Sequence, residues 1–538
     1  MGLDYAKTIE KWDVLEATIS GPNEGNPFCD QWIKGTFCCK NEKKTVDGFY
    51  DGDGIYKVRF MPSFTDEYTF EIEASFDINA GEDVPDKEVP EYKLGTADGG
   101  KAAEKCAVRN ILTGIFTVIP PSADNHGPVR VAGTYYLAYE DGTPYHCIGT
   151  TCYVWNLQNE ELQKQTLKTL EENAFNKIRF CIFPKHYDYN LHEPITYPYE
   201  GTPCDSTVLN ENNFAEYNGC APGNDWDFTR FNPAHFQHIE KCIQALMNLG
   251  IEADLIVMHP YDRWGFSMMK AEDDDRYWKY VLARFSAYRN VWWSLANEYD
   301  LMHEKTLSDW ERYASIICEK DPYHHLRSIH NCKAYYDYNL PWITHCSIQR
   351  TETYRSSELV NEWREKYHKP VVLDEICYEG NIQFGWGNIS GEEMTRRYWE
   401  AFCRGGYPGH GETYLSPDRI LWWSHGGVLH GTSPERIKFL AKIMRETPGL
   451  GVEPMPCKWD EVACRAAGFP ARKDYFIYYY SFMRPGFRDF YFDDATEYQV
   501  EIIDTWEMTI TDGGVHKGKF RVKLPGKEYM AVRLRVAK

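Results

Sequence analysis

The stretch "NVWWSLANEYD", residues 290–300, decides how this chain reads. Val291, Trp292, Trp293, Ser294 and Leu295 make a nearly unbroken apolar run, the pattern of a strand buried on both faces. The run ends in Asn297-Glu298. An unpaired buried charge is costly, so stability alone gives no reason for a carboxylate at that place. A parallel barrel gives one, because its reactive groups sit where strands end and the following loops begin.

Strands alternate with helices on both sides of this stretch. "TPYHCIGTTCYVW" (143–155) reads as a strand, "NEELQKQTLKTLEENA" (159–174) as a helix and "FNKIRFCIFP" (175–184) as a strand again. The helix at 232–250 has Asn232 as cap, Pro233 at its first position and Gly250 to stop it. Strand 252–260 and helix 274–290 lead into the opening stretch. Helix 308–320 follows, then strands 325–331 and 342–349 with little room for a helix between them. Helix 356–369, strand "PVVLDE" (370–375), helix 390–406 with a capping box of Ser390 and Glu393, strand "RILWWSHGG" (419–427) and helix 433–446 complete the series. Eight strands, nearly all followed by helices, predict an α/β fold, a (β/α)8 TIM barrel, with a doubly wound sheet as the alternative.

The flanks read differently. Alternating segments at 14–21, 54–63, 67–76 and 113–122 predict an N-terminal β-sandwich, and those at 474–482, 497–506, 517–525 and 529–537 a small C-terminal one. The expected division is 1–128, 129–450 and 451–538.

Composition narrows the function. A net charge of −21 disfavours nucleic acid and anionic membranes as partners, and there is no basic run. No stretch of about 18 apolar residues predicts a membrane span. The first residues, "MGLDYAKTIEKWDVLE", lack the pattern of a signal peptide. The 17 Cys are odd in number and form no CxxC, which suits free thiols in a reducing cytoplasm, or a secreted protein if a leader has been trimmed away. The sequence is silent on oligomeric state. Its 17 Trp, 38 Tyr and 27 Phe suit both core packing and stacking on sugar faces.

The ends of the expected barrel strands carry Arg179, His259 with Tyr261, Asn297-Glu298, His330 with Asn331, Gln349, Asp374-Glu375 and Trp422-Trp423. Glu298 and Glu375 thus close strands four and seven, across the mouth from each other. Retaining glycoside hydrolysis needs two such carboxyl groups, one to protonate the leaving oxygen and one to attack the anomeric carbon, with their pKa values pushed apart. Arg179 beside Glu375 would keep it ionised, and an apolar setting around Trp292 and Trp293 would keep Glu298 protonated. Strand alternation predicts that only one of Asp374 and Glu375 faces the mouth.

"WWSLANE" followed by "PVVLDE" resembles the retaining (β/α)8 enzymes of glycoside hydrolase clan A, close to family 5. "GHGETY" (409–414) and "LWWSHGGVLHGTSPERIKFL" (421–440) resemble uncharacterised bacterial members that carry sandwiches on both sides of the barrel. The resemblance implies Glu298 as acid/base, Glu375 as nucleophile, and Asn297 on the hydroxyl next to the anomeric carbon. It also implies substrate contacts by Arg179, His259 and Trp423. His330, Tyr261 and Gln349 join them by position. The substrate implied is a β-D-glycoside, or its α-L-furanosyl equivalent, in an oligosaccharide, with neither cofactor nor metal. Gln349 stands where the clan has a Tyr or His that holds the nucleophile, so that role stays open. His410 and Glu412 read equally as substrate contacts or surface loop, and Tyr153 as pocket lining or packing. Two alternatives remain: a non-catalytic carbohydrate-binding protein, and a metal-dependent hydrolase built on His259, His330 and Asp374.

Overall fold

The computed structural model describes residues 3–78, 110–187, 189–190, 194–204, 221–418 and 420–537. Eight parallel strands form the centre: β1 (Gly149–Thr151), β2 (Lys177–Cys181), β3 (Glu252–Met258), β4 (Val291–Ala296), β5 (Arg327–Ser328), β6 (Cys346–Gln349), β7 (Val371–Glu375) and β8 (Tyr407–His410). They pair in the order β5-β4-β3-β2-β1-β8-β7-β6. A parallel bridge between His330 and Ser347 joins β5 to β6 and closes the barrel. Helices α1 (Glu160–Glu172), α2 (Pro233–Asn248), α3 (Ala271–Phe285), α4 (Leu307–Lys320), α5 (Val360–Tyr367), α6 (Gly391–Cys403) and α7 (Ser433–Arg445) surround it. As expected, no α-helix intervenes between β5 and β6.

Local chemistry explains where the helices begin. Asn232 accepts the Ala234 N–H at 3.2 Å with Pro233 in the first turn, so α2 starts where its sequence says. Ser390 caps α6, but the expected reciprocal box does not form, because Glu393 turns to Arg396 and Arg397 instead. A full capping box stands at the start of α4, between Thr306 and Asp309.

Strand eight is the main correction. It is Tyr407–His410, not the stretch 419–427, in which Arg419 lies outside the described residues and Trp422–His425 form a short helix. Pro408 lacks an N–H and Gly409 lacks a side chain, so "YPGH" does not read as a central strand. The glycine is required there: a Cβ on Gly409 would lie 2.7 Å from the Asp374 carbonyl oxygen and 2.8 Å from that of Leu373. β8 therefore runs unusually close to β7.

On the N-terminal side a five-stranded sheet faces a three-stranded one. Leu15, Ala17, Val58 and Phe60 pack on Phe37, Phe70, Ile72 and Phe116, with Phe37 stacked on Phe60 at 4.2 Å. On the C-terminal side a six-stranded sheet and a two-stranded one enclose Phe476, Phe490, Val500, Val522 and Leu534. No helix among the described residues is long and apolar enough to cross a membrane.

The N-terminal sandwich meets the barrel through buried charge. Arg59 grips Glu240 of α2 at 2.6 and 2.9 Å, and Arg284 of α3 reaches Glu240 and Asp51 at 2.7 Å each. Three elements thus share one carboxylate, and removing it would leave two guanidinium groups buried without that partner. Glu240→Ala is expected to destabilise the protein by about 3–5 kcal/mol, read as a fall in the urea unfolding midpoint. Lys164→Ala, at the exposed pair with Glu160, is expected to leave that midpoint essentially unchanged.

Candidate active site

The C-terminal ends of the barrel strands gather the sequence-derived residues into one buried cup. Glu298 stands two residues beyond β4 in a left-handed backbone conformation (φ 50°, ψ 54°). A non-glycine residue is uncommon there and held only when its surroundings over-determine it. Asn297 N–H donates to the Met258 carbonyl at 3.0 Å and Tyr299 N–H to that of His330 at 2.9 Å, which fixes Glu298 between them.

Glu375 ends β7, where the register against β6 shifts. Ser347 stands opposite Val372, yet Gln349 stands opposite Glu375, so β7 carries an extra residue. Such a bulge re-aims side chains. Both Asp374 and Glu375 turn into the barrel, at different depths: Asp374 reaches the floor and Glu375 alone the mouth. Asp374 takes Lys177 at 2.7 Å and Ser347 Oγ at 2.5 Å. Glu375 takes Arg179 and His330 Nε2 at 3.3 Å each, and accepts a hydrogen bond from Tyr153.

Gln349 does not hold Glu375, and the role left open at strand six falls to other strands. Tyr153 after β1 and His330 after β5 contact this carboxylate, while Gln349 Oε1 lies 3.0 Å from His330 Nε2. Ser347 Oγ sits 3.1 Å from His330 Nδ1, so Asp374, Ser347 and His330 form a chain that ends on Glu375.

The two glutamates differ electrostatically. Burial alone would raise the Glu375 carboxyl, but the hydrogen bond and charge of His330, with Arg179 and Tyr153, outweigh it and hold it well below the usual carboxylate range. Burial, then the nearby Glu375 charge, pushes the Glu298 carboxyl up against the opposing pull of Tyr261, Lys185 and Gln349. Tyr261 donates its hydroxyl to Glu298. The expected setting by Trp292 and Trp293 is not found. Trp292 donates to Glu252 at 2.9 Å and Trp293 to Asp321 at 3.2 Å, both away from Glu298.

The remaining candidates fall into place around this pair. Asn297 Oδ1 accepts from Tyr153 at 3.1 Å, while its Nδ2 has no partner among the described residues. His259 lies 3.3 Å from the Phe183 carbonyl, and burial and the Lys185 charge lower its pKa to about 3, so it is neutral. Trp423 lies in the short helix beyond β8 rather than on a strand, at 5.2 Å from Trp386 and 5.7 Å from Tyr153. It is a buried wall, and Trp422 is core, donating to Thr150 at 2.8 Å. His259, His330 and Asp374 do not converge as a metal-ligand set among the described residues. His410 and Glu412 are buried at the end of β8, not on a surface loop.

Sequence reasoning missed Lys185. Its Nζ stands 3.3 Å from the centre of the Tyr153 ring, 4.3 Å from Tyr261, 5.0 Å from Trp423 and 5.7 Å from Tyr187. Burial lowers its pKa to about 8 against the pull of neighbouring acidic groups. A lone lysine in "FPKHYDY" (183–189) is a weak signal, since its rings come from four separate segments. Tyr153 had a positional signal, two residues past the end of β1. Tyr378 and Trp386 extend the wall, 5.9 Å apart and beside Trp423. The connection between β2 and α2 is described only in part, residues 188, 191–193 and 205–220 lying outside the described residues.

Known proteins resemble the chain along most of its length. Residues 132–441 match the family described as "Apiosidase-like, catalytic domain". Residues 8–75 and 459–535 match domains of unknown function, DUF5060 and DUF5605. A Bacteroides vulgatus ATCC 8482 protein, provisionally assigned as a glycoside hydrolase, is 36% identical over 99% of this chain and 100% of its own, with a TM-score of 0.85. A family 5 glycoside hydrolase of the same organism shares the fold at 16% identity, over 76% of this chain and 94% of its own (TM-score 0.57). No curated protein matches the chain. With the profile spanning more than half of the chain and a full-length relative above 30% identity, the protein belongs to the apiosidase-like glycoside hydrolases.

Proposed function

We propose that the protein is a retaining exo-glycosidase in which Glu375 attacks the anomeric carbon and Glu298 protonates the departing oxygen. The observation that carries this reading is the buried glutamate pair at the ends of β4 and β7, pushed in opposite directions by its surroundings. In the first step the Glu375 carboxylate forms a bond to the anomeric carbon as the C–O bond to the aglycone breaks, and the Glu298 proton passes to that oxygen. In the second, Glu298, now a carboxylate, takes a proton from water, whose oxygen displaces Glu375 and releases the sugar. The free Nδ2 of Asn297 is placed to donate to the hydroxyl beside the anomeric carbon. Neither step draws on a cofactor.

The aromatic enclosure of the cup supports exo action on a terminal sugar. The cup is closed by Tyr153, Tyr187, Tyr378, Trp386 and Trp423, and Lys185 brings a cation to its wall. The family description points to apiose, a branched pentose that forms furanosides. An open cleft of about 510 Å³ adjoins the cup, lined by Arg350, Thr351, Glu352, Arg355 and Trp386. Arg350 N–H donates to the Glu375 carbonyl at 2.8 Å, so this cleft is where the aglycone would lie.

A panel of aryl pyranosides and furanosides, the apiosyl compound included, tests the reading. Wild type is expected to release aryl alcohol with the product sugar first seen by NMR as the same anomer as the substrate, and Glu375→Gln is expected to release none. Inverted product or equal release by Glu375→Gln would overturn the mechanism. Glu298→Gln is expected to slow poor leaving groups by about 10²–10⁴-fold and activated ones less.

His330→Ala is expected to raise the Glu375 pKa, because the group that holds it down is removed. The acid limb of kcat/KM then moves to higher pH, as a pH profile on an activated substrate would show. Stability gives an independent reading. A carboxyl whose folded pKa is raised binds its proton more tightly in the folded state, so Glu298 weakens the fold as pH rises above its unfolded pKa. Glu298→Gln is expected to raise Tm at pH 8 and to raise it less at pH 5.

A further inference from the structure

Behind the aromatic wall lies a second buried polar cluster that the proposed chemistry does not use. Glu379 follows β7, and Glu412 follows β8. The two strand extensions pair in parallel, Glu379 beside Glu412 and Gly380 beside Thr413. His410, the last residue of β8, lies with them. One nitrogen of His410 and one oxygen of each carboxylate fall within 4.8 Å of one another, and all three side chains are at most 1% exposed.

Backbone amides of the segment leading into α7 fill part of the carboxylates' capacity. His430 and Gly431 donate to Glu412 at 2.5 and 2.8 Å, and Thr432 and Ser433 to Glu379 at 2.7 and 3.0 Å. The two carboxylates converge on Gly431, where a Cβ would stand 2.5 Å from one and 2.6 Å from the other. Among the described residues neither carboxylate has a Lys or Arg partner. The Tyr414 and Thr432 hydroxyls also donate to Glu379, at 3.1 Å each. Two buried carboxylates without a countercation are still costly, and a proton or a metal ion between them would relieve that cost.

One tautomer of His410 favours the metal. Its Nδ1 lies 3.1 Å from Thr150 Oγ1, while its Nε2 is buried with no hydrogen-bond partner. With Nδ1–H donating to Thr150, Nε2 presents a lone pair, the tautomer of a metal-ligating histidine whose other nitrogen is held by a neighbouring oxygen. An imidazole nitrogen with two carboxylate oxygens is a donor set for a first-row divalent ion, and Zn²⁺ takes these ligands at about 2.0–2.2 Å.

We propose that Glu379, His410 and Glu412 bind one divalent transition-metal ion, zinc by donor set, which fastens the ends of β7 and β8 to the start of α7. The ion is structural. Its site begins one residue beyond Tyr378, whose ring belongs to the wall of the cup and would be struck at 2.1 Å by a Cβ on Gly411. Metal binding therefore sets the position of that wall without entering the reaction.

The experiment is elemental analysis of the full-length protein, purified without chelator, followed by EDTA treatment and titration with Zn²⁺ and Mn²⁺ while Tm is read. The expected result is about one equivalent of metal per chain, with Tm falling on stripping and recovering on addition. His410→Ala and Glu412→Gln are expected to lose both the metal and the response. Glutamine imitates a protonated carboxyl, so a Glu412→Gln variant as stable as wild type would assign the cluster to a shared proton and overturn the proposal. It would also be overturned if wild type neither holds metal nor responds to it, or if both variants retain the same equivalent, which would place the ion on the chain's thiols.

Discussion

One buried ammonium supports the site. Lys177 of β2 lies between Asp254 of β3 and Asp374 of β7, at 2.7 Å from each. Burial would disfavour its charge, but the two carboxylates outweigh that and raise its pKa, while Lys177 in turn helps depress the Asp374 carboxyl. Breaking such a pair from one side leaves an uncompensated charge in the interior, a loss of about 3–5 kcal/mol. The triad cross-links three barrel strands below the mouth. Asp374, so held, accepts Ser347; Ser347 meets His330; and His330 meets Glu375. The charge state of a carboxylate at the mouth is thus tied to an ion pair in the floor.

The bulge in β7 makes this chain possible. In a regular strand Asp374 and Glu375 would face opposite sides, and only one could join the barrel interior. The extra residue turns both inward, so Asp374 serves the floor and Glu375 the cup. Gly409 is the counterpart on β8, because the two neighbouring backbones approach too closely there for any side chain. The left-handed Glu298 at the end of β4 is a second local irregularity. Departures from regular backbone thus fall at both proposed reacting groups, where stored strain is expected to serve function.

The barrel was legible because its strands are apolar runs and its helices carry caps and breaks that local chemistry enforces. Asn232-Pro233, Ser390 and the carboxylates that close 291–298 and 370–375 all stood where the structure has them. β8 was not legible, since four residues containing Pro and Gly resemble a turn, and the apolar "LWWSH" nearby was the stronger strand signal. The cup's outline was readable from strand ends, which named Arg179, Asn297, Tyr261 and His330. Of the groups that support Glu375, Arg179 was legible in that role, but Tyr153 and His330 were not, because they converge on it only when strands from different parts of the chain close into a ring. The aromatic enclosure of Lys185 fails for the same reason. The surroundings of Glu298 were misread because sequence neighbours on a strand point to different sides, and Trp292 and Trp293 each found an acceptor elsewhere.

The N-terminal sandwich bears on the cup although it packs on the outside of the barrel. Its loop near residue 26 holds the hairpin Tyr199–Thr202 with Asp225–Phe231, which belongs to the long connection between β2 and α2. Asn26 donates to Thr229 Oγ1 at 2.8 Å and Arg230 to the Gly25 carbonyl at 2.7 Å. From that hairpin, Trp226 donates to the Trp264 carbonyl at 3.0 Å and packs on Phe266 at 5.5 Å. Trp264 and Phe266 follow Asp262, whose carboxylate accepts the N–H groups of Trp264, Gly265 and Ser267 and so fixes the turn just after Tyr261. Tyr261 is the residue that donates to Glu298. A continuous path of packed and hydrogen-bonded groups therefore runs from the sandwich to one of the two carboxylates. A connection as long as that between β2 and α2 loses much conformational entropy when ordered. Contacts from outside the barrel offset that loss, which gives the sandwich a physical reason to be joined to it.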